Sequence, residues 1–163
     1  MMILRIATDE DLNTLISWIK DQGACRLWAG PHVRFPLTLQ RLKKDIEFSE
    51  ENTFVMVNDA GQPVGLGQLL EKEKGRIHMA RVMVAPPRRA KGLGEMLCRL
   101  LIEEGIKRFG NLFFSLNVYS ENTTAVRLYQ KLGFKPQPSP SDPSPDKDVI
   151  HMVLKPGLTE KPA

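Results

Sequence analysis

The chain is poor in the residues that would make it a metal, redox or disulfide protein. It has 2 cysteines, Cys25 and Cys98, with no C-x-x-C pair and no histidine set at ligand spacing beside either. That argues against a zinc module and a disulfide framework, and two isolated thiols fit a reducing compartment. Long apolar runs are missing as well. No stretch approaches the roughly 20 apolar residues that span a bilayer, and the opening MMILRIATDEDL turns acidic too early for a secretory signal. A cytoplasmic protein that does not act at membranes is the expectation. Aromatic residues are sparse at 7%, none is interleaved with basic residues as in an RNA-binding motif, and the net charge of +4 is not gathered into a tail. The basic residues read as a solvated surface, and nucleic acid is not an expected partner.

What is present suits one globular domain of 163 residues, with 42% apolar and 26% charged side chains. MILRIA reads as a strand, and TDEDLNTLISWIKDQG as a helix that Thr8 and Asp11 cap and Gly23 stops. RLWAGPHVRFP reads as irregular, and LTLQRLKKDIEF as a second helix. The apolar runs between residues 52 and 86, parted by NDAGQ and EKEKG, predict three strands in an antiparallel meander. A helix follows from Leu93, then the strand NLFFSLNV, a helix from Asn122 to Gly133, and extended segments at Phe134 and DVIHMVL. The domain is expected over residues 1–155, with a proline-rich loop at 136–147 that holds 5 prolines between 136 and 145, and a frayed tail at 156–163. The class is α/β or α+β with one mixed sheet.

The chemistry begins at VAPPRRAKGLGEMLCRLL, where Arg88, Arg89 and Lys91 stand with Gly92 and Gly94 at the mouth of a helix. A helix start offers unpaired N–H groups and partial positive charge, and glycine lets an anion approach the backbone. The stretch is neither G-x-x-x-x-G-K-S/T nor G-x-G-x-x-G. It is V-x-V-x-P followed by R-x-x-G-x-G. About thirty residues on stands NVYSENTTAVRLYQKLGF, with Asn122, Ala125, Leu128, Tyr129, Gly133 and Phe134 in an N-x-x-A-x-x-L-Y-x-x-x-G-F pattern.

With both stretches in this order, the chain resembles the GNAT superfamily of acetyl-CoA-dependent N-acetyltransferases over most of residues 2 to 135. The resemblance implies a GNAT fold, a mixed sheet of about seven strands with about four helices. It implies that the strand at Val82, Met83 and Val84 pairs with the pantetheine arm of acetyl-CoA, and that backbone groups of Arg89, Ala90, Lys91, Gly92, Leu93 and Gly94 hold its pyrophosphate. Asn122 then either bonds the cofactor arm or only caps its helix, and Tyr129 either donates to the thioester sulfur or is a core tyrosine. His78 stands where several family members carry a glutamate. It is a candidate base, since an unperturbed imidazole has a pKa of about 6.5, or a structural residue whose facing a strand bulge would change.

Glu71 and Glu73 flank a turn and can attract a cationic amine or simply solvate a hairpin tip. The resemblance puts Trp28, His32 and Phe35 in the region that walls the acceptor site, where they either shape it or pack onto the core, and Gln68, by alternation, is expected at the same cleft. The activity implied is direct transfer of acetyl to a primary amine, preferably on a small molecule, with a peptide amine as the alternative acceptor. A non-catalytic acyl-CoA sensor is the alternative from another class, and a homodimer is compatible with the resemblance.

Overall fold

Thr8 starts the first helix as its spacing anticipates. Its hydroxyl accepts from the Asp11 amide at 3.4 Å while the Asp11 carboxylate accepts from the Thr8 amide at 2.8 Å, so two donors at the helix start are satisfied. In the computed structural model, which describes residues 1–73, 75–110, 113–138 and 148–155, helix α1 (Asp9–Trp18) follows strand β1 (Ile3–Ile6). Arg5 closes the junction with bonds of 2.8 and 3.1 Å to the Asp11 carboxylate.

Gly23 is not a stop. Helix α1 ends at Trp18, and the Asp21 side chain accepts from the Ala24 amide at 2.8 Å to cap helix α2 (Gln22–Ala29), in a stretch whose sequence predicts irregular backbone. A side-chain cap can offset the propensity cost of one glycine near a helix start, since the two effects are of similar size. Helix α3 (Leu39–Asp45) completes this half.

Strands β2 (Thr53–Val57), β3 (Pro63–Glu73) and β4 (Arg76–Val84) form the expected antiparallel meander. Helix α4 (Leu93–Phe109), strand β5 (Phe113–Tyr119), helix α5 (Thr123–Lys131), the short β6 (Lys135–Pro136) and β7 (Val149–Leu154) follow. The 7-stranded sheet has the order β1-β2-β3-β4-β5-β7-β6, antiparallel except where β4 meets β5. Among the described residues there are five α-helices, one more than the expected four. The proline-rich loop lies outside the described residues from 139 to 147, as does the tail at 156–163.

Two apolar layers sandwich the sheet. Phe54, Leu69, Ile77, Met79, Phe114, Leu116 and Met152 pack with Leu97, Leu101 and Tyr129 of α4 and α5. Val55, Leu66 and Met83 pack on the other face with Leu12, Leu15, Cys25 and Leu42 of α1 to α3.

One register shift places the site. Leu66 pairs with Met83 and Gln68 with Ala80, so β4 holds one residue more than β3 across this stretch. The bulge carries Arg81 at φ +52 and inverts the alternation: Ile77 and Met79 before it, and Val82 and Val84 after it, all join the α4 layer. His78 and Val84, six residues apart, therefore lie on opposite faces. The pairing of β4 with β5 stops after three residue pairs, at His78 and Ser115, and the strands part toward Val84.

Candidate active site

On the face opposite α4, the sheet and α2 border a half-open cavity of about 430 Å³. Strands β3, β4, β5 and β7 supply its floor with Lys72, His78, Asn117 and His151, and the end of α2 with the following turn supplies a wall from Leu27 to His32. Period-two alternation explains the floor. Phe114, Leu116 and Met152 point into the α4 layer, so Ser115, Asn117 and His151 point the other way.

His78 meets Ser115 across the sheet, its Nδ1 2.9 Å from the hydroxyl. Burial, then Lys72, His151, Arg76 and Arg81, push its pKa down to about 3. The ring is neutral at ordinary pH and weakly basic. His151 donates from Nδ1 to the Asn117 Oδ1 at 2.8 Å, which leaves Nε2 as the lone-pair nitrogen, buried and without a partner among the described residues. Burial and Arg76 also lower the pKa of His151.

Trp28 lines the cavity, and its indole N–H donates to the Arg81 carbonyl at 2.9 Å. His32 is in the same wall. Phe35 is not in the lining and packs instead among the partly buried residues of the α1 to α3 layer. Gln68 is also absent from the lining. It is fully buried, its amide donates to the Ile46 carbonyl and the Thr53 hydroxyl at 3.0 Å each, and its Oε1 accepts from Arg81 Nη1 at 2.8 Å. Alternation puts it on the right face, but α3 covers that part of the sheet. Glu73 reaches the cavity and is held by Arg76 at 2.9 Å.

The loop after β4 leaves its backbone open. Ala90 and Gly92 have φ of +64 and +76, and Gly92 starts α4 with no side-chain cap. The first-turn amides of this helix thus lack the side-chain acceptor that most helix starts supply. A Cβ on Gly94 would stand 3.3 Å from Leu128 of α5, so glycine also lets these helices meet. Arg89 bends back to donate from Nε to the Val84 carbonyl at 3.0 Å, and Lys91 and Leu93 flank Gly92. The strand residues Val82, Met83 and Val84 lie on β4 beyond the point where β5 departs.

Asn122 caps α5, its Oδ1 accepting from the Ala125 amide at 3.4 Å. Tyr129 is buried in the α4 layer, edge-on to Phe134 at 5.9 Å between ring centres. Burial and the Cys98 thiol raise its pKa, so the hydroxyl keeps its proton. Cys98 is itself fully buried and pushed up to about 12. Neither Tyr129 nor the loop at 89–94 lines the cavity, which sits on the other side of the sheet. The parting of β4 from β5 is the break in the sheet between them.

Arg81, Asn117 and His151 are cavity residues that the sequence does not single out. Asn117 and His151 meet only through the β5 to β7 register, and Arg81 through the bulge.

The family model described as "Acetyltransferase (GNAT) family" matches residues 15–134. The peptidyl-lysine N-acetyltransferase YjaB of Salmonella typhimurium is 35% identical over 97 residues, 60% of this chain and 59% of that relative. The match to it thus spans less than two thirds of its length. Aminoglycoside N(6')-acetyltransferase type 1 of Klebsiella pneumoniae is 25% identical over 166 residues, covering 92% of this chain and 81% of that relative. Among solved structures, the spermidine N-acetyltransferase of Vibrio cholerae in complex with CoA and spermine superposes with a TM-score of 0.73, at 20% identity and 94% coverage of each chain. At that identity the likeness speaks for the fold.

Proposed function

Because the chain belongs to the GNAT family of acetyltransferases, we propose that it moves an acetyl group directly from acetyl-CoA to a primary amine on a small molecule. The observation that carries this reading is a sheet that splits between an uncapped, glycine-opened helix start on one side and a half-open cavity on the other. Arg89 to Gly94 would hold the pyrophosphate on backbone amides, with Val82 to Val84 along the pantetheine arm and Asn122 at its side. Acetyl-CoA supplies the activated thioester. A backbone N–H near Val84 offers a donor to the carbonyl oxygen as charge gathers there.

The acceptor nitrogen must be neutral to form the new C–N bond. Arg76, Arg81 and Lys72 set a positive field in the cavity that disfavours an ammonium, so a strong base is not required. His78 in this reading is a neutral hydrogen-bonding wall and a weak base at most, and Trp28 frames the acceptor. As the C–S bond breaks, Tyr129 donates a hydrogen bond to the departing sulfur. Its raised pKa suits a donor that retains its proton, and the proton the sulfur finally takes is the one the nitrogen loses. The buried, protonated Cys98 supports transfer without a covalent enzyme intermediate.

A peptide lysine is the second acceptor reading, carried by the relative named for that activity. Residues 1–155 act as one catalytic unit in this account, and a cytoplasmic location goes with two free, buried thiols. No described helix is long and apolar enough to cross a membrane.

The test is initial-rate kinetics with both substrates varied, on the wild type and Tyr129→Phe. Intersecting reciprocal plots and no acetylated protein by intact mass are expected, with turnover in the variant lower by about tenfold or more and acetyl-CoA affinity little changed. Parallel plots with an acetylated chain would contradict direct transfer, and full turnover in the variant would remove the role given to Tyr129.

A further inference from the structure

We propose that the acceptor bound in this cavity carries an anionic group, a carboxylate or a phosphate, close to its amine; the inference rests on the acetyltransferase reading above. Lys72, Arg76 and Arg81 line the cavity against one carboxylate among the described residues, Glu73, which Arg76 already holds at 2.9 Å. Among the described residues no carboxylate is within ion-pair distance of Lys72 or Arg81, and Glu47 and Asp45 act on Arg81 only from farther off. His32, His78 and His151 add three imidazoles and no negative charge.

The cations are also built in. Arg81 sits at the bulge with φ +52, its Nη1 fixed by Gln68, which is fixed in turn by Ile46 and Thr53. A residue held in a left-handed conformation by a buried amide is not a solvated surface charge. The Nε atoms of Arg81 and Arg76 are both buried and without acceptors among the described residues. Those two atoms are sealed from solvent, so a ligand in the cavity meets the other N–H groups of these arginines, to which a carboxylate or phosphate brings paired oxygens in the geometry arginine prefers. The opposite case is a polycation, whose second and third ammonium groups would meet these cations with no free carboxylate to receive them. The same field that binds the anion disfavours the ammonium form of the neighbouring amine, so binding and activation have one cause.

The experiment measures acetyl-CoA-dependent thiol release by the full chain with matched acceptors: amino acids against their amides, amino sugars against their phosphate esters, and spermidine and an aminoglycoside as polycations. A kcat/KM higher by about tenfold or more for the charged member of a pair is expected, with the advantage shrinking as salt rises. The pair that shows it distinguishes carboxylate from phosphate. Equal or better use of the amide, the unphosphorylated sugar or either polycation overturns the inference while leaving the transferase reading in place. Acetyl-CoA binding without turnover of any member also overturns it. Failure of calorimetry to detect acetyl-CoA binding, with no thiol release, removes the transferase reading and this inference with it.

Two variants sharpen the result. Lys72→Gln, at an exposed position, is expected to raise KM for the anionic acceptor by about threefold without changing KM for acetyl-CoA or the melting temperature. Arg81→Gln is expected to lower kcat/KM for it by about tenfold or more. An acceptor KM unmoved by Lys72→Gln and a kcat/KM unmoved by Arg81→Gln would contradict the assignment.

Discussion

Gly92 has φ +76 and open space where a Cβ would point, so what the position requires is backbone conformation and access. An aspartate there costs about 1 kcal/mol of backbone strain and brings negative charge to the helix start that is to hold the pyrophosphate. Gly92→Asp is expected to weaken acetyl-CoA binding by about tenfold or more in calorimetry, with the fold retained by circular dichroism. Unchanged affinity would place the cofactor elsewhere. His78 gives a second prediction at this scale. Its pKa falls from 6.5 to about 3 on folding, so the unfolded chain binds the proton more readily and this residue's contribution to stability is full above 6.5 and lost as pH falls toward 3. The melting temperature should drop between pH 6.5 and 4, and His78→Gln should flatten that slope. A variant with the wild-type slope would contradict the buried, neutral imidazole.

Among single residues, those legible in the sequence act through local spacing. The glycines at 92 and 94, Asn122 and Tyr129 each belong to a motif within one loop or one helix, and the loop geometry at Gly92 follows from its residue type. Arg81 and His151 act through their neighbours in space, and Gln68, expected at the cleft, instead anchors Arg81 from behind.

At the scale of elements, helix α4 is fitted to the sheet through glycine. A Cβ on Gly105 would stand 2.6 Å from Phe114, a fully buried ring on β5, and one on Gly67 2.6 Å from Leu101. Gly105→Ala is expected to destabilise the protein by about 1–3 kcal/mol through overpacking, although alanine is the better helix former. Urea unfolding should show a lower midpoint, and an unchanged or higher one would mean that α4 shifts freely. The meander, α4, β5 and α5 were readable because apolar periodicity and turn residues agree along each of them. Helix α2 was masked by Gly23 and the prolines beyond it, although Asp21 carried the capping signal. The bulge in β4 had no signal at all: it exists only as a mismatch between two paired strands, and it decides that His78 and Val84 part company.

For the whole molecule, two apolar layers hold a sheet whose only parallel pairing among the described residues, β4 with β5, lasts three residue pairs. The helix start at Gly92 and the basic cavity stand on either side of that opening, and the account holds that acetyl passes between them. The proposed cofactor side is legible in local motifs. The proposed acceptor side depends on long-range pairing, such as Asn117 with His151, and on α2 forming one wall of the cavity.

The most direct measurement is acceptor-dependent release of the CoA thiol from acetyl-CoA, with the acetylated acceptor identified by mass spectrometry against a blank without acceptor. The account predicts release and product formation in equal amounts, only when an amine is present. Release that ignores the amine, or none with every amine class while acetyl-CoA binds, would contradict it and favour a cofactor-sensing protein.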